Sequence, residues 1–179
     1  MHQLLLLRHA KSSWDARDLH DRDRPLNARG RHAATLMRQA IRDLGLEPDV
    51  ILVSTARRTR ETLALLEPWD ETPLLEARDS LYLAPSAILL DALHGVADTA
   101  RSVMVVGHNP GLHELALSLS LVGQQAQTDV HQEPLRGLAR GFPSGALAEF
   151  SIAVPWSRLS AGGGQLVRFI TPRGLEGTG

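Results

Sequence analysis

The chain has no cysteine, a single lysine and few aromatic residues, 4% in all. Without cysteine there is no disulfide, no thiolate metal site and no sulfur nucleophile, and the composition suits a reducing cytoplasm, which is the compartment expected. Trp14, Trp69 and Trp156 lie far apart in sequence, so no stacking platform for nucleic acid is indicated. Long apolar runs are absent too. Leu4-Leu5-Leu6-Leu7 is far too short to span a bilayer and lacks the basic start and small-residue cleavage site of a secretory signal. Neither sign of charge dominates: with a net charge of -1 the chain makes no global electrostatic case for nucleic acid or an anionic membrane. An anion, if bound, must be held by local charge.

What is present is a core-forming alternation. A chain of 179 residues, 43% hydrophobic and 22% charged, is expected to form one domain over residues 1–179. Strand-like runs at Leu4–Leu7, Val50–Val53 and Val103–Val106 alternate with helical periodicity over about Ala28–Leu44, from a cap at Ser54 or Thr55 to about Leu66, from Ser86 to Leu93, and after Pro110. A short edge strand is expected around Thr72–Leu75. This order predicts an α/β fold: a three-layer sandwich with a mostly parallel central sheet flanked by helices. Gln124–Pro143, polar and punctuated by Gly and Pro, reads as a surface excursion. Ala146–Val154 and Gln165–Ile170 read as two further strands around a Gly162-Gly163-Gly164 turn, and the tail from about Thr171 as flexible.

Two of the buried-strand patterns end in a histidine, at Arg8-His9-Ala10 and Gly107-His108-Asn109-Pro110-Gly111. Ligands of open α/β sheets bind beyond the carboxyl ends of strands, where both rings would project. Arg8 and His9 are neighbours whose side chains share one site only if the strand ends there; otherwise the pair is structural. Ser54-Thr55-Ala56-Arg57-Arg58-Thr59-Arg60-Glu61-Thr62 loads arginines onto a helix start, where the macrodipole is already positive and an anion would compensate. Arg57 and Arg60 read as a solvated face paired with Glu61, and Arg58 as functional. Together these groups describe a basic pocket with one imidazole free to attack phosphorus, His9. Arg8, Arg58 and a protonated His108 would spread the charge on the phosphoryl oxygens without metal or cofactor. His108, His113 and Glu114 lack the His-Glu-x-x-His spacing of a zinc site, and Asp15, Asp18, Asp21 and Asp23 are balanced by Arg17, Arg22 and Arg24.

These segments, in this order, resemble the signatures of the histidine phosphatase superfamily, which has the phosphoglycerate mutase-like fold. More narrowly, Arg8-His9-Ala10-Lys11-Ser12-Ser13-Trp14 followed by Asp21-Arg22-Asp23-Arg24-Pro25-Leu26-Asn27-Ala28-Arg29-Gly30 is similar to the small SixA-type phosphohistidine phosphatases. The resemblance implies a hydrolase with His9 as nucleophile, Arg8 and Arg58 as phosphate ligands and His108 as second pocket histidine, reacting through a phosphohistidine intermediate. Lys11 and Ser12 would border the substrate, as would Asp21, Asp23 and Arg24. The acid of larger members points to Glu76 or Asp79, each of which reads equally well as a loop carboxylate paired with Arg78.

The expected substrate is a phosphohistidine-bearing protein, since the short stretch from Thr72 to Arg101 leaves little room for the covering segments of members acting on small phosphates. The alternatives are a small phosphate ester, or a module that binds phosphorylated ligands without turnover. Oligomeric state is not legible.

Overall fold

The computed structural model describes residues 1–120 and 132–177. The elements run β1 (His2–Arg8), α1 (Ala28–Asp43), β2 (Val50–Ser54), α2 (Arg57–Ala64), β3 (Leu74–Arg78), α3 (Ser86–His94), β4 (Ser102–Gly107), α4 (Gly111–Ser120), α5 (Gln132–Arg140), β5 (Leu147–Ile152), β6 (Gly164–Ile170) and α6 (Pro172–Glu176). The strands form one six-stranded sheet in the order β3-β2-β4-β1-β5-β6. β1 and β4, β2 and β4, and β2 and β3 pair parallel, while β5 runs antiparallel to both β1 and β6. The mixed α/β sheet between helical layers is the expected architecture.

Alternation along the buried strands builds the layers. Leu4 and Leu6 join one core with residues of α3 and α4 such as Leu93 and Leu115, whereas Leu5 and Leu7 join another with Met37 of α1 and Leu63 of α2. The two central strands are thus covered on both faces, which is why they read as unbroken apolar runs.

Local chemistry explains where the elements differ from expectation. Neither Ser54 nor Thr55 caps α2: the Thr55 hydroxyl donates to Asp79, and Ser54, at the end of β2, turns its side chain inward. The edge strand begins at Leu74, past Pro73, and continues to Arg78. Pro110 immediately precedes α4, whose first residue, Gly111, lies so close to Ala84 that a Cβ there would meet its carbonyl oxygen at 1.9 Å. Within the expected surface excursion, residues 124–131 lie outside the described residues, but Gln132–Arg140 is helical and its Leu138 is fully buried. Pro134 is tolerated in the first turn, and Gly137 lets the Phe169 ring pack close. Burying Leu138 contributes about 2 kcal/mol. The tail, described to residue 177, contains a short helix: the Thr171 hydroxyl accepts from the Gly174 amide and caps α6, whose Leu175 packs against the core that includes Met37 and Ile41 of α1.

Candidate active site

Strand pairing brings the two histidines together. β1 and β4 are neighbours with Arg8 level with Gly107, so both chains leave the sheet at the same height, and the His9 amide donates to the Gly107 carbonyl at 3.1 Å. The rings sit with centroids 5.3 Å apart. The turn after β1 is fixed from two directions. The Gly145 amide donates to the carbonyls of Arg8 and His9, and the Ala10 amide donates to the Thr62 hydroxyl, which itself donates to the Arg58 carbonyl. A third constraint is steric: a Cβ at Gly30 would lie 2.0 Å from the Lys11 carbonyl oxygen, so α1 packs directly on this turn.

The cleft at these strand ends has a volume of about 340 Å³ and is lined by Arg8, His9, Lys11, Ser12, Arg24, Arg58 and His108 among others. Its size is not what marks it, since a cleft of about 600 Å³ lies along α2 and β3 without any histidine. The expectation that Arg8 and His9 reach one site is met because the strand ends at Arg8. Arg57 pairs with Glu61 at 2.7 Å and Arg60 is exposed, whereas Arg58 is 2% exposed and faces the cleft.

Hydrogen bonds give each group a defined orientation. His9 donates from Nδ1 to the Ala10 carbonyl at 2.7 Å, which leaves the Nε2 lone pair available. Burial first, then the Arg58, Arg8 and Arg24 charges, lower its pKa to about 4, outweighing the opposing Ala10 hydrogen bond. His9 is therefore neutral and nucleophilic at pH 7. His108 places Nε2 2.7 Å from the Ser54 hydroxyl and Nδ1 3.4 Å from Arg58 Nη2. Burial, followed by His9 and Arg58, brings it down to about 3 against the raising effect of Asp21. These surroundings favour a neutral His108 ring, where the sequence suggested a protonated one, and a neutral ring gives a proton in hydrogen bonding only from the nitrogen that carries it.

Arg58 is aimed by Asp21, accepting at the backbone oxygen (2.7 Å from Nη1) and at Oδ2 (3.0 Å from Nη2). Arg8 donates from Nη1 to the Phe142 carbonyl. The Nε atoms of Arg8 and Arg58 are buried and unpartnered among the described residues, at a cost of about 1–3 kcal/mol each. Two guanidinium groups lining the cleft beside a neutral imidazole can receive a tetrahedral dianion and present phosphorus to nitrogen.

The carboxylates are distributed differently from expectation. Glu76 is held by Arg78, and Asp79 accepts from Thr55 and Arg22 with its side chain 78% exposed; neither lines the cleft. The cleft carboxylate is Asp21, which also accepts from Tyr82 and Arg24. Burial alone would raise its pKa, but the Tyr82 hydrogen bond and Arg58 bring it to about 2. Lys11 and Ser12 line the cleft, and the Ser12 hydroxyl accepts from Arg24 at 2.7 Å. Sequence reasoning missed Tyr82 and the Ser54 contact, for which no motif spacing gave a signal, and treated Asp21 only as rim.

Comparison with known proteins agrees with this geometry. The sequence model of the histidine phosphatase superfamily, branch 1, matches residues 4–78. The structure superposes on the provisionally assigned phosphohistidine phosphatase SixA of Nakamurella multipartitia with a TM-score of 0.78 and 32% identity, covering 96% of each chain. The chain belongs to the histidine phosphatase superfamily, in its SixA-type group. Another provisionally assigned superfamily member of that group, SixA from Agrobacterium tumefaciens, matches with a TM-score of 0.77 and 29% identity over 96% of this chain and 98% of that one. An uncharacterised Mycobacterium tuberculosis protein is 32% identical over 168 residues, 93% of this chain and the whole of the relative. An uncharacterised chloroplastic protein of Arabidopsis thaliana is 37% identical over 133 residues, 66% of this chain, which spans 59% of that relative. Among the described residues no helix is long and apolar enough to cross a membrane, and no three His, Cys, Asp or Glu side chains cluster as metal ligands.

Proposed function

We propose that the protein is a metal-independent phosphohistidine phosphatase, acting on a histidine-phosphorylated protein, with His9 as nucleophile and Arg8, Arg58 and His108 as phosphoryl ligands. The observation that carries the reading is the His9 Nδ1 hydrogen bond to the Ala10 carbonyl, which leaves a neutral Nε2 lone pair in a cleft lined by the Arg8 and Arg58 guanidinium groups. In the first step His9 Nε2 forms a bond to phosphorus while the substrate's P–N bond breaks, its electron pair going to the departing ring nitrogen. The departing imidazole keeps the proton on its other nitrogen and leaves neutral. Phospho-His9, still hydrogen-bonded through Nδ1, is then attacked by water, whose proton passes to a phosphoryl oxygen while the electron pair of the breaking P–N bond returns to Nε2; inorganic phosphate leaves and the neutral ring is restored. Such loose transition states demand charge stabilisation more than a strong base, and the guanidinium groups supply it.

Substrate class follows from what the cleft cannot donate. Asp21 is lowered to about 2 and His108 to about 3, so at pH 7 Asp21 is ionised and His108 keeps one ring proton without the second proton of an imidazolium. An alkyl ester, whose alkoxide needs a proton to leave, is poorly served, whereas a phosphorylated imidazole carries its own.

The test is turnover of a phosphohistidine-bearing protein and of p-nitrophenyl phosphate in EDTA by wild type and His9→Ala, with an alkaline quench to preserve label on His9. Turnover lost in the variant, with label trapped on wild-type His9, is expected. Unchanged turnover in folded His9→Ala overturns the mechanism, p-nitrophenyl phosphate far outrunning phosphohistidine would reassign the substrate to a small phosphate ester, and saturable binding without label would make the site a binding module.

A further inference from the structure

The phosphoryl cleft is polar at its base, but two of the residues lining it are large, apolar and exposed: Trp14 at 74% and Leu83 at 51%. Isolated exposed apolar side chains are ordinary on a protein surface. These two are not ordinary, because each is held in place.

Trp14 lies in the segment after β1. The Arg24 guanidinium carbon sits 3.5 Å from the centroid of its ring. Arg24 is itself fixed, donating to Asp21, to the Ser12 hydroxyl and to the Ser13 carbonyl, and it is 8% exposed. The indole therefore stands on an immobilised base, a contact surface that costs little conformational entropy to use.

Leu83 follows the turn that carries Tyr82, whose hydroxyl donates to Asp21. Its φ is +48°, and it is the one non-glycine residue with positive φ among the described residues. Branched apolar residues rarely adopt that conformation, and such strain concentrates where a side chain is held for a function. The strain here holds a leucine half-exposed beside the phosphate-binding groups.

We propose that Trp14 and Leu83 form an apolar docking rim that selects histidine-phosphorylated proteins with apolar side chains flanking the phosphohistidine. This rests on the preceding functional reading and adds what the site recognises beyond the phosphoryl group. The occupant follows from continuity of the rim with the cleft. A ligand filling the cleft meets Arg8, Arg24 and Arg58 together with Trp14 and Leu83, so it pairs a dianionic group with apolar shoulders. A free sugar or amino-acid phosphate has no such shoulders; a phosphorylated side chain on a folded surface does. Tryptophan and arginine, which meet here, are among the residue types that protein-binding hot spots favour.

The probe is a helical-bundle protein phosphorylated on one surface histidine with potassium phosphoramidate, prepared with either leucines or serines beside that histidine. Wild type is expected to favour the leucine form about tenfold in kcat/KM, through KM. Trp14→Ala and Leu83→Gly, which remove exposed side chains and do not threaten folding, should each bring that ratio close to one. Equal use of the two forms by wild type overturns the rim, as does a ratio unchanged in both variants. Binding of the two phosphoproteins to His9→Ala, with and without Trp14→Ala, reads the same preference without turnover. If wild type turns over neither protein, the phosphatase reading fails while this binding ratio still decides the rim.

Discussion

His9 and His108 occupy equivalent places at the ends of adjacent parallel strands, both are nearly buried, and both are held neutral, yet their hydrogen bonds differ. His9 spends Nδ1 on the carbonyl of the next residue and leaves Nε2 unclaimed. His108 has a partner at each nitrogen, Ser54 at one and Arg58 at the other. Position in the fold therefore makes both rings available, and the local partners divide the work. A ring with one unclaimed lone pair can form a covalent bond, while a ring gripped at both edges can only orient and polarise.

The largest break in this comparison is covalent. His9→Ala should lower kcat for phosphohistidine hydrolysis by about 10⁴-fold or more, because it removes the bond-forming atom. His108→Asn should lose about 10²–10³-fold, the scale of removing one donor to a phosphoryl oxygen. Steady-state kinetics with single-turnover labelling checks both, and equal losses in the two variants would erase the division of labour. The label should still form on His9 in His108→Asn, more slowly.

A smaller effect separates the histidines from the rest of the protein through acid stability. Each folded-state pKa lies below the unfolded value near 6.5, so the unfolded chain takes up protons first as pH falls. Stability contributed by the neutral rings is fully present above pH 6.5 and lost as pH drops toward about 4 for His9 and about 3 for His108. Taken alone this is on the order of 3 kcal/mol for His9 and 5 kcal/mol for His108. Urea unfolding at pH 7 and pH 4.5 should show a larger drop in wild type than in His108→Asn. Parallel drops in the two proteins would mean that His108 titrates normally.

Much of this was legible in the chain, for a physical reason. Buried parallel strands must be apolar on both faces, so Leu4–Leu7 and Val103–Val106 announce both the sheet and the points where it ends, and His9 and His108 follow. Arg58 was legible because an arginine at a helix start is locally unfavourable. Contacts between distant segments were not legible. Nothing in the periodicity shows that Asp21 reaches Arg58 and Tyr82, or that Asp79 is claimed by Thr55 and Arg22 away from the cleft. Helix α5 was hidden because Pro134 and Gly137 read as breakers, although one sits in the first turn and the other makes room for Phe169.

The smallest expected effect sharpens the comparison most, because it acts on His108 through one hydroxyl. With Arg58 Nη2 facing Nδ1, the Nε2 proton of His108 points to Ser54 Oγ. When a phosphoryl oxygen takes up Arg58 Nη2, a neutral His108 can serve as donor only if its proton sits on Nδ1 and Nε2 accepts from the Ser54 hydroxyl. Serine can play both parts because its hydroxyl donates as well as accepts. Alanine can play neither, so Ser54→Ala should lower kcat about tenfold, about 1.4 kcal/mol of transition-state stabilisation, with His9 labelling retained. The ¹⁵N shifts of the His108 ring, read with and without a phosphate analogue such as vanadate, should show a tautomer change in wild type that Ser54→Ala lacks. A variant with wild-type kcat and the same ¹⁵N response would mean that Ser54 merely fills space, and that Arg58 alone sets how the second histidine differs from the first.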